Sequence, residues 1–215
     1  MKRISLIVPC LNEEEAIPAF KQEIDRVFKE CLEGYAPELI FVDDGSTDRS
    51  LEMIKKMAEH SPEVKFISFS RNFGKEAAIY AGLEAATGDY AAVMDVDLQD
   101  PPSLLPDMLK AIEKEGYDCA GTRRVTRQGE PLLRSFFARA FYKTIHQISD
   151  TRIVDGARDY KLMTRPVLEA LLSLKEYNRF SKGLYEWVGF RTKWFEYENV
   201  ERVAGETKWS FFKLF

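Results

Sequence analysis

The sequence predicts an α/β fold built on a mostly parallel, doubly wound sheet with helices on both faces. Short apolar runs recur through the first 121 residues, and each is followed by polar or glycine-bearing residues. The stretches between them carry apolar residues at the three- and four-residue spacing of a helix. Strands that alternate with helices in this way pair in parallel, because each connecting helix crosses a face of the sheet.

The first half of the chain accounts for five strands and the helices between them. Strands are predicted at residues 4–8, 39–42, 64–68, 90–94 and 119–121, and helical spacing is clearest over 17–31, 51–58 and 105–112. We expect the second helix to begin after residues 46–48, which are Ser, Thr and Asp, and the third to stop at Gly88. Ser103 is a start signal for the fourth helix.

The character of the chain changes after about residue 122. Residues 122–149 hold six basic side chains and one acidic one, a net charge of +5. This segment is either a solvated helix face whose arginines lie beside aromatic residues or a site for an anion. Further strands are predicted at residues 160–163 and 191–197, and Pro166 is expected in the first turn of a helix.

The composition excludes several classes of protein. With 31 basic and 35 acidic residues among 215, the net charge of -4 gives no general attraction to nucleic acid, so no such partner is expected. Three cysteines without CxxC spacing argue against a disulfide framework or a zinc site. No apolar segment approaches the roughly 18 residues of a spanning helix. As written, the chain is expected to be soluble.

An acidic octet, Asp95 to Pro102, directly follows the fourth predicted strand. If the strand continues through it, Asp95 and Asp97 share one face and Gln99 adds a third oxygen in the same register. Three hard oxygens suit Mg²⁺ or Mn²⁺. The alternative is a polar strand end whose Ser103 simply caps the next helix.

Polar clusters also follow the first two strands, at residues 9–13 and 43–46. The carboxyl ends of parallel strands lie along one edge of a sheet, so all three clusters should converge into a composite site. An aspartate of the second cluster can accept from a base or a ribose hydroxyl, while the third holds a metal against a diphosphate. Without a GxGxxG or GxxxxGK[ST] motif, a dinucleotide dehydrogenase and a P-loop NTPase are both disfavoured.

Several of these segments together resemble the family-two inverting glycosyltransferases with a GT-A fold. The matching segments are IVPCLNE at 7–13, FVDDGSTD at 41–48, RNFGK at 71–75, MDVDLQDPP at 94–102, DYKLM at 159–163 and AGETKWS at 204–210. Within the family, the likeness is to polyprenyl-phosphate glycosyltransferases, the group of dolichol-phosphate mannose synthase and bactoprenol glucosyltransferase. The resemblance implies metal-dependent transfer of a hexose from a nucleotide diphosphate sugar to a polyprenyl phosphate at the cytoplasmic face of the membrane.

The resemblance also implies a role for individual residues. The nucleotide-sugar contacts would be Pro9, Leu11, Asn12, Glu13, Asp43, Asp44, Lys75, Asp95, Val96, Asp97, Arg123, Arg202 and Lys208. Asp97 and Gln99 would hold Mg²⁺ or Mn²⁺, and the catalytic residues would be Asp95, Asp97 and Asp159. An equal alternative for Lys75 is a solvated position at the start of the third helix.

A phosphate acceptor would require positive charge more than a strong base. A phosphate monoester has a second pKa of about 6 and is already nucleophilic at neutral pH. Arg123, Arg127 and Arg134 of the basic segment are the candidates for bringing it beside the donor. Asp159 matches a position proposed as a base in the family, but a carboxylate would repel an anionic acceptor unless it is protonated or metal-linked. Its expected role is therefore orientation or acid/base chemistry.

On this basis residues 1–121 form a nucleotide-sugar-binding half and residues 122–215 an acceptor-side half of the same domain. Members of the group commonly continue into transmembrane helices after the segment matching 205–214, and this sequence shows none. The aromatic end, residues 209–215, is expected to form a membrane-proximal helix or to pack against the core of the domain.

Two other functions stay open. A sugar nucleotidyltransferase uses a related sheet but expects a glycine- and arginine-rich loop after the first strand, where residues 9–12 read PCLN. A module that binds nucleotide sugar or lipid without turnover, for regulation or assembly, is the non-enzymatic alternative. For a transferase, UDP is preferred to GDP, because segments 71–75 and 95–102 resemble the bactoprenol group.

Overall fold

A computed structural model describes residues 1–124, 154 and 156–197 of the 215-residue chain. Within these ranges seven strands form one sheet: β1 (Lys2–Cys10), β2 (Tyr35–Asp43), β3 (Val64–Ser68), β4 (Tyr90–Val93), β5 (Cys119–Arg124), β6 (Ala157–Thr164) and β7 (Thr192–Tyr197). Six α-helices accompany them in the same ranges: α1 (Ile17–Cys31), α2 (Ser50–His60), α3 (Lys75–Ala85), α4 (Leu105–Glu115), α5 (Arg165–Ser173) and α6 (Ser181–Trp187). A 3₁₀ turn, Pro102–Leu104, leads into α4.

The strand order is β3-β2-β1-β4-β6-β5-β7. β1 pairs in parallel with β2 and β4, β2 with β3, and β5 with β7, whereas β6 runs antiparallel to both β4 and β5. The prediction of a mostly parallel α/β sheet is confirmed. Because β6 runs in the opposite direction, its first residues lie at the edge where the other strands end.

The helices cover both faces of the sheet, and the apolar residues of the strands explain why. Adjacent β1 residues such as Leu6 and Ile7 point to opposite faces and are both fully buried. On one face β1 packs with α1, α2 and α4, and on the other with α3, α5 and α6. In α1, Phe20 and Ile24 lie on the buried stripe that the helical spacing predicts.

Some of the predicted boundaries differ from the structure. α3 ends at Ala85, and Gly88 is not its stop. A Cβ on Gly88 would lie 2.7 Å from Ser5 Oγ, so this glycine is required by close packing against β1. A left-handed glycine does end α4, Gly116, with φ 73°. Ser103 lies inside the 3₁₀ turn and forms no capping hydrogen bond, but Pro166 does lie in the first turn of α5.

A buried glutamate ties the central strands together. Glu38 of β2 is 2% exposed and accepts hydrogen bonds from Ser5 Oγ at 2.5 Å and Thr87 Oγ1 at 2.6 Å. Lys65 Nζ of β3 lies 2.5 Å from Glu38 Oε1. Burial acts to raise the pKa of this carboxyl, but the contacts with Lys65, Ser5 and Thr87 lower it to about 2.

Replacing this carboxylate should cost stability in a pH-dependent way. Glu38→Gln is expected to lower the free energy of unfolding at pH 7 by about 1.5–3 kcal/mol, the usual contribution of hydrogen bonds to a charged group. A depressed carboxyl pKa stabilises the fold fully above the unfolded value of 4.5 and loses that contribution as the pH falls toward 2. Urea unfolding of both proteins should therefore give a difference that shrinks between pH 7 and pH 3.

The matched control is Glu30→Gln, which removes a carboxylate from an exposed ion pair with Arg26 on α1. It should change the unfolding free energy by less than about 1 kcal/mol at either pH. A Glu38→Gln difference that is the same at both pH values would contradict the low pKa.

Candidate active site

Two carboxylates and a lysine meet at the carboxyl edge of the sheet. Lys75 is the first residue of α3, and its Nζ lies 2.6 Å from Asp95 Oδ1 and 2.5 Å from Asp159 Oδ2. Asp95 follows β4, and Asp159 is the third residue of β6. The reversed direction of β6 is what brings Asp159 to this edge. Lys75 thus bridges the two acids, although its side chain stays 42% exposed at the start of the helix.

Asp159 lies in a strongly positive setting. Lys182 Nζ of α6 lies 3.8 Å from Asp159 Oδ1, on the other side from Lys75. Burial acts to raise the pKa of Asp159, but Lys75 and Lys182 lower it to about 2. The same carboxylates outweigh burial at Lys75 and raise the pKa of its ammonium. Asp159 is therefore an anion, and Lys75 a cation, at neutral pH.

The acidic octet does not continue the strand. β4 ends at Val93, and Leu98 adopts a left-handed conformation with φ 57°. The expectation that Asp95, Asp97 and Gln99 share one face of a strand is wrong, since side chains alternate only while the backbone stays extended. Asp95 instead faces Lys75, while Asp97 is 5% exposed and accepts the Gln99 N–H at 3.1 Å. We call residues 95–100 the acidic turn.

The clusters after β1 and β2 come together by hydrogen bonds. Asn12, which has φ 53°, donates its N–H to Ser46 Oγ at 2.9 Å, and its Oδ1 accepts the Thr47 N–H at 2.7 Å. The N–H of Glu13 donates to Ser50 Oγ at 2.7 Å. Pro9 and Leu11 flank the end of β1 at the same place. The first two predicted clusters are thereby joined at one edge.

The paired aspartates after β2 organise a second loop. Asp44 accepts the N–H of Phe73 at 2.6 Å and of Gly74 at 3.0 Å. Gly45 permits this approach, because an added Cβ would lie 2.5 Å from the carbonyl carbon of Arg71. Asp43 is 1% exposed and accepts hydrogen bonds from Ser46 N and Ser68 Oγ. Asp44 therefore holds the loop at 71–74 against the end of β2, and Asp43 ties β2 to Ser46 and to Ser68 of β3.

The remaining predicted residues divide into two groups. Val96 is buried within the acidic turn, and Arg123, at the end of β5, forms an ion pair with Glu196 of β7. The predicted contacts Arg127, Arg134, Arg202 and Lys208, with the aromatic end at 209–215, lie outside the described residues.

Two basic residues of this edge were missed by the sequence analysis. Arg158 directly precedes Asp159 and bonds to Asp100, and Lys182 approaches Asp159 from α6. The sequence did carry a signal for Arg158, namely its charge and its position next to the matched segment 159–163. No sequence signal pointed to Lys182, because only the fold brings α6 to β6.

The oxygens of the acidic turn suit a cation that is shared with a ligand. In the described parts of the chain, no group of three or more His, Cys, Asp and Glu residues is placed to hold a metal. Asp97 and Gln99 supply one carboxylate and one amide oxygen, both hard ligands. Mg²⁺ commonly binds through one or two carboxylates together with substrate phosphates, so this pair fits such a cation.

Among the helices that the structure describes, none combines the length and the apolar composition of a membrane span.

Known proteins resemble this chain in sequence and in fold. It is 45% identical over 212 residues to the putative glycosyltransferase CsbB of Bacillus subtilis, an alignment that covers 99% of this chain and 63% of that protein. It is 42% identical over 212 residues to the prophage bactoprenol glucosyl transferase homolog of Escherichia coli, covering 99% of this chain and 68% of that one. The chain thus spans about two thirds of the length of these relatives.

A solved structure shares the fold at lower identity. Glucosyl-3-phosphoglycerate synthase from Mycobacterium tuberculosis, in complex with Mn²⁺, UDP-glucose and phosphoglyceric acid, superposes with a TM-score of 0.62 and 20% identity, covering 99% of this chain and 74% of that one. The fold is that of the GT-A glycosyltransferases. The profile of "Glycosyl transferase family 2" matches residues 5–172. With this match and relatives above 40% identity, the chain belongs to glycosyl transferase family 2.

Proposed function

We propose that this chain transfers a hexose, with inversion, from a UDP-linked sugar to a polyprenyl phosphate at the cytoplasmic face of the cell membrane, with Mg²⁺ or Mn²⁺. The observation that carries the proposal is the meeting of Lys75 with Asp95 and Asp159 beside the acidic turn. The bactoprenol glucosyl transferase homolog of E. coli supports the class of acceptor. Residues 1–121 would bind the donor and residues 122–215 the acceptor.

The donor would lie along the carboxyl edge of β1, β2 and β4. Asp44 and Asn12, which organise the loops after β2 and β1, place the nucleoside end. Asp97 and Gln99 would hold the cation, which neutralises the charge that develops on the leaving diphosphate. Lys75 brings a positive charge to the same place, and Asp95 fixes its position. The UDP-glucose and Mn²⁺ bound by the mycobacterial synthase support this class of donor and cation.

The acceptor phosphate needs no strong base. It is largely dianionic above its second pKa of about 6, and only one in-line attack is required for inversion. Asp159, with a pKa near 2, is a weak proton acceptor at neutral pH. Lys75 and Lys182 offset the repulsion between this carboxylate and the phosphate. We therefore assign Asp159 to orientation: it holds the two ammonium groups where the two anions must meet.

Cations further along the chain would complete the acceptor site. Arg123 lies at the end of β5, and Arg127 and Arg134 follow it in the sequence. An arginine binds a phosphate through two parallel N–H bonds, which orients as well as attracts it. A membrane-proximal role for residues 209–215 would bring the chain to the surface that holds the lipid acceptor.

Purified protein with Mn²⁺, short-chain polyprenyl phosphate and labelled UDP-glucose or GDP-mannose tests the proposal. The expected result is a labelled lipid product from the UDP sugar that disappears when EDTA removes the metal. Nucleotide binding without any product would favour a binding module. Synthesis of a nucleotide sugar from a sugar phosphate and a nucleoside triphosphate would favour a nucleotidyltransferase.

Loss of Lys75 should impair transfer. Lys75→Met removes the cation that separates two carboxylates and leaves Asp95 and Asp159 facing each other. We expect kcat/KM for the nucleotide sugar to fall by about 100-fold, the usual cost of one electrostatic contact with charge that develops in the transition state. Lys55→Met, on the exposed face of α2, is the control and should keep the wild-type value. Wild-type kinetics for Lys75→Met would exclude this lysine from the site.

A further inference from the structure

The backbone of the acidic turn lies beyond the paired part of the sheet. β4 ends at Val93, which pairs with Lys161 of β6, and the Met94 N–H still donates to Ile7 O of β1, so residues 95–100 follow this bond. Within the turn, Val96 packs into the core. Asp97 and Gln99 nevertheless must stay in place if they are to share a cation with a diphosphate. Ligands of this kind depend on the groups that fix them, because a metal tolerates little displacement of its oxygens.

Arg158 supplies a fixed point for this turn. Its Nε donates to Asp100 Oδ1 at 3.0 Å, and its Nη2 lies 4.0 Å from Asp95 Oδ2. Asp95 and Asp100 are the first and last residues of the acidic turn. One guanidinium on β6 therefore reaches both ends of the acidic turn.

The far end of the turn is the more firmly held. Asp100 is 1% exposed, and Tyr197 of β7 donates its hydroxyl to the same Oδ1 that accepts from Arg158. Its Oδ2 is buried and accepts no hydrogen bond from the described residues. A carboxylate removed from water requires a nearby opposite charge, and Arg158 provides one in direct contact.

We propose that Arg158 is a positioning residue that, through Asp100, sets the place of the cation ligands Asp97 and Gln99 relative to Asp159. Arg158 and Asp159 are neighbours on β6, so one strand end fixes both the acidic turn and the carboxylate that holds Lys75. This inference rests on the proposed function, because that function assigns the cation to Asp97 and Gln99. The attachment of the turn to Arg158 is a property of the chain itself and can be measured separately.

Hydrogen exchange tests the attachment without any ligand. In Arg158→Gln the amides of residues 95–100 should exchange at least about tenfold faster than in the wild type, whereas those of β1 and β2 should not change. Arg158→Lys keeps the charge and should restore part of the protection. Asp100→Asn keeps the size of the side chain and should loosen the same amides, so the test does not depend on one variant folding. Wild-type exchange in both Arg158→Gln and Asp100→Asn would overturn the proposal.

The second readout is calorimetric titration of UDP in the presence of increasing Mn²⁺. The concentration of Mn²⁺ that gives half-maximal UDP binding should rise by about 10–100-fold in Arg158→Gln, as is usual when a group behind a metal ligand is lost. The control is Lys193→Gln, which breaks a 2.6 Å ion pair between Lys193 of β7 and Glu115 of α4. It should change neither the exchange of residues 95–100 nor the Mn²⁺ requirement. An unchanged Mn²⁺ requirement in Arg158→Gln would also count against the proposal.

The two ideas fail in different ways. If the turn loosens in Arg158→Gln but the wild type forms no lipid-linked sugar, the proposed function is wrong and the attachment stands. If the wild type transfers sugar and the turn of Arg158→Gln exchanges as in the wild type, the attachment is wrong and the function stands.

Discussion

Asp97→Ala is expected to lower sugar transfer by about 1000-fold. A cation on a leaving diphosphate contributes several kcal/mol to stabilising the transition state, and each 1.4 kcal/mol corresponds to a factor of ten in rate. Asp97 supplies the carboxylate oxygen of the acidic turn that we assign to this cation, and its Oδ1 accepts the Gln99 N–H. Because the loss concerns the departure of the diphosphate, kcat should fall more than the affinity for the nucleoside part.

The measurement is transfer rate against Mn²⁺ concentration for the wild type, Asp97→Ala and Asp97→Asn. The wild type should saturate, and Asp97→Asn should require more metal, because an amide oxygen binds a divalent cation more weakly than a carboxylate. Asp107→Ala, an exposed aspartate in the first turn of α4, is the matched control and should behave as the wild type. If Asp97→Ala keeps both the rate and the metal requirement, the assignment of the cation to Asp97 is wrong.

Asp159→Asn is expected to lower kcat by about 100-fold without altering the shape of the pH profile. Lys75 keeps its ion pair with Asp95 but loses the one with Asp159, and Lys182 loses its contact with Asp159, so the positive charge opposite the two phosphates is less firmly fixed. Because the pKa of Asp159 is about 2, this residue stays ionised from pH 5 to pH 9. It therefore causes no rise or fall of the rate in that part of the pH profile. The rate should instead rise as the pH passes about 6, where the acceptor phosphate loses its second proton.

Initial rates from pH 5 to pH 9 with saturating donor distinguish orientation from base catalysis. Under our assignment the wild type and Asp159→Asn share the same rising limb at different heights. A limb that is present in the wild type and absent from Asp159→Asn would show that this carboxylate titrates during the reaction. Asp89→Asn, on the connection before β4 and bonded to the N–H of Arg3, is the control for removal of an aspartate from the opposite edge.

The alternation of apolar and polar residues was sufficient to predict the fold. β3 occupies residues 64–68 as expected, and the predicted strand at 160–163 lies inside β6, where Tyr160, Leu162 and Met163 are buried as their apolar run indicates. The direction of β6 was not predicted, since helical crossovers favour parallel strands. Asp159 therefore entered the candidate site through its likeness to a family and not through the strand-end rule.

The details of the site depended on contacts that no local pattern contains. The shared face of Asp95 and Asp97 required β4 to continue through the octet, but the strand ends at Val93 and the left-handed Leu98 turns the chain again after Asp97. The bond from Arg158 to Asp100 joins residues 58 positions apart, and the approach of Lys182 to Asp159 depends on how α6 packs against β6. Such ion pairs follow from the completed topology, so the sequence could identify their charges but not their partners.

The position of β6 between β4 and β5 has a consequence for how the chain acquires its shape. β4 and β5 are neighbours in sequence, but Tyr90 pairs with Thr164, and β5 joins the sheet only through β6. During synthesis, β1 to β4 can assemble while their future neighbour is still unmade, and pairing over such a separation is slow. An early intermediate would then carry the donor-side loops around an open strand edge. Asp159 and Arg158 would arrive together in the step that closes that edge, so the carboxylate opposite Lys75 and the anchor of the acidic turn would form at the same time.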